Sequence, residues 1–218
     1  MTRQSSGAVS LVDQLVVKIR DAIVAGELKA GAHIGIKALA DRYGVSIIPV
    51  REALARLLAS RLVEVQTNRG YSVAAKPTPA EFAQFVQARE LFELSAVRLG
   101  FENATPAEIE ELRRLNAEMA AVAAEESGDS MIAWGHLNSE FHQLLVGLAR
   151  NSYLDRLYAD LYFGNLHVQL VRSYEREFAS LELLIAQHDE IIGLLEAGDR
   201  EGLLAALSAH IRNVTLEE

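Results

Sequence analysis

The stretch from Leu39 to Leu54, which reads LADRYGVSIIPVREAL, constrains the fold more than any other part of the chain. Gly44 follows a short helical pattern and can adopt the left-handed backbone that ends a helix. Ser46 is a favourable N-cap, and Pro49 is compatible only with the first turn of the next helix. The stretch therefore predicts two helices joined by a tight turn.

The sequence on either side completes a small module. An amphipathic helix is predicted in SLVDQLVVKIRDAIVAG, with Ser10 as its cap. Alternating residues in LVEVQ and YSVAA predict two strands joined by the turn TNRG. Three helices followed by a β-hairpin form the plan of a winged helix-turn-helix. In that plan the third helix can enter the major groove of double-stranded DNA, while the preceding helix crosses the phosphate backbone.

Charge divides the chain into two parts. Residues 1–76 contain 11 Lys and Arg against 6 Asp and Glu, whereas residues 77–218 contain 10 against 24. Only the first part therefore suits a polyanion, although the whole chain has a net charge of −9. Pro77 and Pro79 interrupt the pattern at the same place. We expect one domain over residues 1–76 and a second over residues 77–218.

The second part contains only helical patterns, which predict a bundle of about six helices and a fold class that is mostly α. Thr105, Pro106 and Glu108 form the strongest start signal, a capping box with proline in the first turn. The chain has no Cys, no apolar core of a signal peptide near its start, and no apolar run of the roughly 20 residues that a membrane span needs. We expect a cytoplasmic protein without a membrane partner.

Four segments of the first part, AGELKAG, ALADRYGVS, PVREALARLLASRLVEV and NRGYSV, follow one another in a recognisable order and spacing. Through them the chain resembles the GntR family of bacterial transcription regulators. The resemblance implies a homodimer that binds a palindromic operator of double-stranded DNA. The residues expected at the DNA, from this resemblance and from their places in the turn, helix and wing, are Lys37, Ser46, Ile48, Arg51, Asn68, Arg69 and Gly70.

Three positions depart from the family pattern. Ala30 stands where the family usually has Pro, and Arg61 stands where it usually has Gly. Ile47 replaces the Arg that normally follows the Ser of the turn and contacts bases. We therefore expect Arg51 to carry more of the base recognition.

Histidines in the second part have a spacing that suits a metal ion. His142 lies four residues after Asn138, so both project from one helix face, and His188 and His210 lie on two later helices. Three imidazoles and one oxygen suit Zn²⁺, Ni²⁺, Mn²⁺ or Fe²⁺ inside a helical bundle. By spacing alone, half-buried polar histidines without a metal remain the alternative.

The segments NSEFHQLL, QHDEIIGLLEAGD and LSAHI resemble the FCD ligand-binding domain of the FadR subfamily. That resemblance implies a divalent metal held by an Asp and three His, at positions that correspond here to Asn138, His142, His188 and His210. Asn138 stands where Asp is usual, and a neutral amide oxygen is a poorer ligand than a carboxylate. A bound metal of lowered affinity and a metal-free polar pocket both remain open.

The resemblance also implies a small organic acid or sugar acid as effector. A carboxylate can bind at open metal positions and pair with an Arg. Arg89 matches a family position that faces the pocket, while Asn165 and Arg172 are candidates because their predicted helices lie near the histidines.

The sequence thus favours a transcription regulator that is controlled by ligand binding, and leaves repression or activation open. One alternative is a metal-dependent hydrolase, but the chain has no H-E-x-x-H motif and Glu140 points away from the predicted ligand face. The other alternative is a helical scaffold with incidental histidines. The hydrolase also leaves residues 1–76 unexplained, so we expect a protein that is not an enzyme. A regulator is distinguished from a scaffold by whether small acids raise the melting temperature and alter DNA binding.

Overall fold

The computed structural model describes residues 10–59, 62–66, 69–75, 78–125, 128–159, 161 and 179–213. The chain divides into two units, Met1–Ala75 and Lys76–Glu218. This division lies one residue before the boundary that the sequence predicts.

Three helices build most of the first unit: α1 (Leu11–Val24), α2 (Ile36–Tyr43) and α3 (Ile47–Ala59). Ser10 caps α1 by accepting a hydrogen bond from the backbone N–H of Asp13, as expected. Gly44 ends α2 with a φ of 65°, the left-handed backbone that the sequence predicts at this turn. The predicted pair of helices around a tight turn is therefore confirmed.

The small sheet of the first unit has three strands, β1 (His33–Ile34), β2 (Val63–Gln66) and β3 (Gly70–Val73), in the order β1-β3-β2. Strands β2 and β3 form the predicted antiparallel hairpin. The sequence does not predict β1, because two residues are too few to show alternation. The wing is thus a hairpin extended by one short strand.

The apolar sides of α1 and α3 face each other and form the core of the first unit. Leu15 and Ile19 of α1 are buried, as are Val50 and Leu54 of α3. These positions match the predicted helical periodicity. The apolar stripe Val50, Leu54, Leu57 and Leu58 in the sequence predicts that Leu58 is buried as well, but this side chain is 37% exposed.

Six described helices form the second unit, in agreement with the predicted number. They are α4 (Pro79–Gly100), α5 (Pro106–Ala123), α6 (Gly128–Gly147), α7 (residues 152–159), α8 (Ala179–Ala197) and α9 (Arg200–Arg212). A short 3-10 turn, Phe101–Asn103, follows α4. The predicted continuation of α7 past Gly164 lies outside the described residues.

Capping boxes begin both α4 and α5. The boxes are formed by Thr78 with Glu81 and by Thr105 with Glu108, and each has proline in the first turn. The second box agrees with the sequence prediction. Because such a box satisfies two backbone N–H groups at a helix start, it fixes where each helix begins.

Five of these helices close into a ring. Helix α4 packs against α6 and α9, α5 packs against α6 and α8, and α8 packs against α9. The ring encloses an apolar core that includes Phe141, Leu145, Ile191 and Leu207. Helices α6, α8 and α9 each send one histidine toward this core. No described helix combines the length and the apolar character that crossing a membrane would require.

Candidate metal centre and nucleic-acid interface

Three buried imidazoles meet inside the helical unit. His142 comes from α6, His188 from α8 and His210 from α9. The Nε2 atom of His210 lies 3.1 Å from Nε2 of His142 and 3.2 Å from Nε2 of His188. The predicted histidines therefore converge through the same ring atom.

The other ring nitrogen of each histidine faces an oxygen. Nδ1 of His142 lies 2.9 Å from Oε2 of Glu93, and Nδ1 of His188 lies 3.1 Å from Oδ1 of Asn116. Nδ1 of His210 lies 3.0 Å from Oε1 of Gln187. These oxygens accept hydrogen bonds, so each Nδ1 carries the proton and each Nε2 presents a lone pair.

The side chain of Asn116 is itself oriented by two acceptors. Its Nδ2 donates to the backbone carbonyl of Ile185 at 3.1 Å and to Oδ1 of Asp189 at 2.7 Å. The amide oxygen is therefore left to face His188. The ring of His188 also stacks on Phe141, with 4.2 Å between the ring centroids. Packing and hydrogen bonding thus fix the direction of this imidazole.

Burial keeps all three imidazoles neutral near pH 7. It lowers the pKa of His142, and it lowers the pKa values of His188 and His210 well below the usual range. Three neutral imidazoles that direct lone pairs at one another repel, and a cation between them removes that repulsion. Neutral imidazole is also the form that binds metals.

Two of the three nitrogen separations match those expected around a divalent metal ion, and the three ligand atoms all lie within 4.8 Å of one another. With metal–nitrogen distances of about 2.0–2.1 Å, neighbouring ligand atoms lie about 3.0 Å apart at right angles and about 3.3 Å apart in a tetrahedron. The observed separations of 3.1 and 3.2 Å fall between these values. In addition, each imidazole has the hydrogen-bonded outer partner that metal-binding histidines have as a rule.

A buried charged cluster supports His142. Oε1 of Glu93 accepts hydrogen bonds from Nε of Arg89 at 2.5 Å and from the hydroxyl of Tyr158 at 2.9 Å. Burial raises the pKa of Glu93, but the charge of Arg89 and the hydrogen bonds from His142 and Arg89 outweigh burial and lower that pKa to about 2. Glu93 is therefore ionised, and its negative charge lies in contact with His142, one of the predicted metal ligands.

The predicted fourth metal ligand and one of the three predicted effector contacts lie within the described residues. Asn138 is buried on α6, one turn before His142. Arg89 is buried as well, but its charge is balanced by Glu93, a partner that the sequence prediction did not include. Asn165 and Arg172 lie outside the described residues.

Sequence reasoning missed the residues that orient the histidines: Glu93, Asn116, Tyr158 and Gln187. The i,i+4 spacing of Arg89 and Glu93 was a usable signal for one ion pair on α4. Asn116 and Tyr158 offered no local signal, because they meet the site through packing of α5 and α7. Asn116 also lines a cavity of about 320 Å³ between α5 and α8, which reaches Arg113 and Asp189.

The predicted DNA contacts lie on the first unit, and those that the structure describes are exposed. They are Lys37 of α2, Ser46 of the turn, Ile48 and Arg51 of α3, Arg69 of the turn before β3, and Gly70 at the start of β3. Asn68 lies outside the described residues. Gly70 has a φ of 79°, a left-handed backbone that glycine adopts without strain.

Five exposed cations of the first unit, among others, differ in whether they form ion pairs. Arg42 and Arg56 pair with acidic side chains, which are Glu27 and Asp13, respectively. Within the described part of the chain, Lys37, Arg51 and Arg69 form no ion pair. These three cations are therefore available to phosphate or to base edges.

Comparison with known proteins accounts for both units. Residues 11–73 match the gntR family of bacterial regulatory proteins, and residues 84–213 match the FCD domain. Together these two matches span nearly all of the described residues.

Individual relatives are also transcriptional regulators. LutR of Bacillus subtilis (strain 168), an HTH-type transcriptional regulator, is 27% identical over 210 residues, which cover 87% of this chain and 92% of LutR. An uncharacterized HTH-type transcriptional regulator in an unstable DNA locus of Streptomyces ambofaciens is 30% identical, over 97% of this chain and 86% of its own length.

A solved structure, that of E. coli McbR/YncC, superposes with a TM-score of 0.79 at 26% identity and covers 94% of this chain and 95% of its own. The relatives are transcriptional regulators rather than enzymes, and the hydrolase alternative is therefore set aside. The chain belongs to the GntR family of bacterial transcription regulators, with an N-terminal helix-turn-helix unit and a C-terminal FCD domain.

Proposed function

We propose that this regulator binds a palindromic DNA operator as a homodimer in the cytoplasm, and that a small organic acid bound in the helical unit controls its affinity for the operator. We further propose that a divalent metal ion in the helical unit takes part in binding the acid. The convergence of three Nε2 atoms, each from an imidazole whose Nδ1 is held by an oxygen, carries the proposal of the metal.

His142, His188 and His210 would hold the metal through Nε2, and Asn138 would add its amide oxygen. A bound divalent cation supplies open coordination positions that attract a carboxylate. Because three imidazoles and an amide are neutral, these residues would not neutralise the charge of a bound cation and would leave it attractive to an anion. The carboxylate of Glu93 is the negative group next to this set.

Arg89 is the described residue that could contact the acid directly. Its Nε is used by Glu93, but its Nη2 has no hydrogen-bond partner among the described residues. A buried guanidinium nitrogen without a partner is costly, and an acid that accepts a hydrogen bond from it would remove that cost. Asn165 and Arg172 remain predicted contacts on the strength of their sequence positions alone.

At the operator, Arg51 in the first turns of α3 is the residue best suited to a guanine or a phosphate. Lys37 would contact the phosphate backbone, and Arg69 with Gly70 would place the wing against the duplex. All four are exposed, and the three cations lack ion-pair partners in the described part of the chain. Ser46, Ile48 and Asn68 complete the proposed contact set.

Binding of the acid would act through the helices that supply the ligands. Since α6, α8 and α9 each contribute one imidazole, these three helices would be held in one arrangement when metal and acid are bound. An effector changes operator affinity only by the difference between its affinities for the two arrangements. Coupling free energies of this type are typically about 1–3 kcal/mol.

A binding experiment tests the proposal. The operator is first isolated by selection from random duplexes, and its Kd is then measured with organic acids, with and without Zn²⁺, Ni²⁺ or Mn²⁺. We expect at least one acid to shift the Kd about 5- to 150-fold, and only when metal is present. A matched variant, His188→Ala, should bind the operator but lose the response. An operator affinity that no acid changes, in any metal, would refute control through this site.

A further inference from the structure

Two isoleucines stand at the exposed start of α3. Ile47 is 42% exposed and Ile48 is 69% exposed, although the apolar side chains further along the helix, Val50 and Leu54, are fully buried. Neither isoleucine therefore belongs to the core of the first unit. Their apolar surface remains in water unless a partner covers it.

The surroundings of this isoleucine pair select a polyanionic partner. Ser46 and Arg51, on either side of the pair, are exposed, and Arg51 has no ion-pair partner in the described residues. Lys37 is exposed at the start of α2. Residues 1–76 carry five more basic than acidic residues, which disfavours a cationic or purely apolar partner.

If the start of α3 lies in the major groove, its apolar pair needs an apolar group of the DNA to contact. Isoleucine neither donates nor accepts hydrogen bonds, so it cannot read the polar edges of the bases. Among the four bases only thymine presents an apolar group, its C5-methyl, in the major groove. The fit is therefore between the isoleucine side chains and thymine methyl groups.

We propose that Ile47 and Ile48 determine operator specificity by contacting thymine C5-methyl groups at the base pairs met by the start of α3. This inference rests on the proposed binding of duplex DNA and adds the identity of the bases that are read. Arg51, one turn further along the same helix, would supply the polar contact beside this apolar one. The methyl contacts discriminate thymine from cytosine and also from uracil, which differs from thymine only by the missing methyl group.

The size of the effect follows from the burial of one methyl group. Removing a CH₂-sized group from water increases the binding constant of a complex by a factor of about four. The protein should therefore bind a duplex with thymine at a contacted position about three- to fivefold more tightly than a duplex with uracil there. In a symmetric dimer the factor applies to both half-sites, which gives about tenfold to 25-fold.

The test uses the full chain and chemically matched duplexes. Selection from random duplexes supplies a binding site, and that site is then synthesised with thymine or with deoxyuridine at each thymine in turn. Kd values are measured by fluorescence anisotropy at one fixed salt concentration, because phosphate contacts make affinity depend on salt. We expect deoxyuridine to lower the affinity three- to fivefold per half-site at one or two positions and to leave the Kd unchanged at the others.

Variants assign the effect to the two side chains. The double variant Ile47→Ala/Ile48→Ala should bind thymine and deoxyuridine duplexes equally, and alanine favours helix, so α3 should persist. Leu58→Ala, which shortens an exposed apolar side chain near the other end of α3, is the matched control and should keep the discrimination. Circular dichroism checks that each variant is folded.

The outcomes separate the two levels of the proposal. A wild-type protein that selects no duplex overturns the proposed DNA binding itself. A protein that selects a site but binds its thymine and deoxyuridine forms equally overturns the methyl contact. Discrimination that persists in the double variant, or vanishes in Leu58→Ala, overturns the assignment to Ile47 and Ile48.

Discussion

Gln187 offers the sharpest test of how the histidines are held. Its Oε1 accepts the hydrogen bond from Nδ1 of His210, and the side chain is only half-buried, so the residue can be changed without emptying the core. The substitution Gln187→Met keeps the length of the side chain and removes the acceptor. Without this acceptor, the tautomer of His210 with the proton on Nδ1 is no longer favoured. The tautomer with the proton on Nε2, which cannot bind a metal through that atom, becomes more populated.

The magnitude follows from that lost hydrogen bond. Removing an outer partner of a metal-binding histidine typically weakens metal affinity about 10- to 100-fold, which is about 1.4–2.8 kcal/mol. The stability of the metal-free protein should fall less, by about 0.5–1.5 kcal/mol, because a single neutral hydrogen bond is lost. The two effects are therefore separable.

Competition with a chromophoric chelator, on protein without an affinity tag, measures the metal Kd, and thermal unfolding of the metal-free protein measures stability. The matched control is Gln187→Glu, which restores an acceptor and should bind metal at least as tightly as the wild type. Equal metal affinity in the wild type and Gln187→Met would refute the reasoning. So would a Gln187→Glu variant that is weakened as much as Gln187→Met.

Three further predictions concern DNA contact, packing and pH. Arg51→Ala should weaken operator binding by about 1–3 kcal/mol and, if Arg51 contacts phosphate, should lower the salt dependence of the Kd; equal binding curves would exclude this contact. Gly100→Ala should lower the free energy of unfolding by about 1–3 kcal/mol, since a methyl group there overlaps the backbone at Leu148, and chemical denaturation checks this. Bonds from Arg150 and from the helix cap lower the pKa of Glu108 from 4.5 to about 2, so the carboxylate stabilises the fold above pH 4.5 and loses this contribution as pH falls toward 2. Glu108→Gln should therefore flatten the acid side of the stability profile, and a profile that is unchanged would contradict the role of this carboxylate.

Local signals in the sequence predicted the helices well. The caps at Ser10 and Thr105 and the glycine stop at Gly44 act within a few residues, and the structure has all three. Strand β1 was missed because its two residues pair with β3, which lies more than 30 residues later, and carry no periodicity of their own. Pairing between distant segments is a property of the fold rather than of the segment.

The candidate metal centre was predictable only in part. The spacing of the histidines, together with the resemblance, indicated which rings meet, but their oxygen partners come from α4, α5 and α8. Arg89 shows the limit most clearly. Its match to a family position predicted a cation facing a ligand, and this stays a prediction. The sequence did not show that packing of α7 brings Tyr158 to Glu93 and completes a buried cluster with Arg89.

X-ray absorption spectroscopy of the full chain, purified without an affinity tag and reconstituted with Zn²⁺, tests the metal centre most directly. We predict one bound metal per chain with three imidazole nitrogens at about 2.0–2.1 Å and one or more oxygen ligands. His210→Ala should remove one imidazole from the spectrum or abolish binding. The absence of stoichiometric metal after reconstitution, or a spectrum without imidazole ligands, would contradict the account.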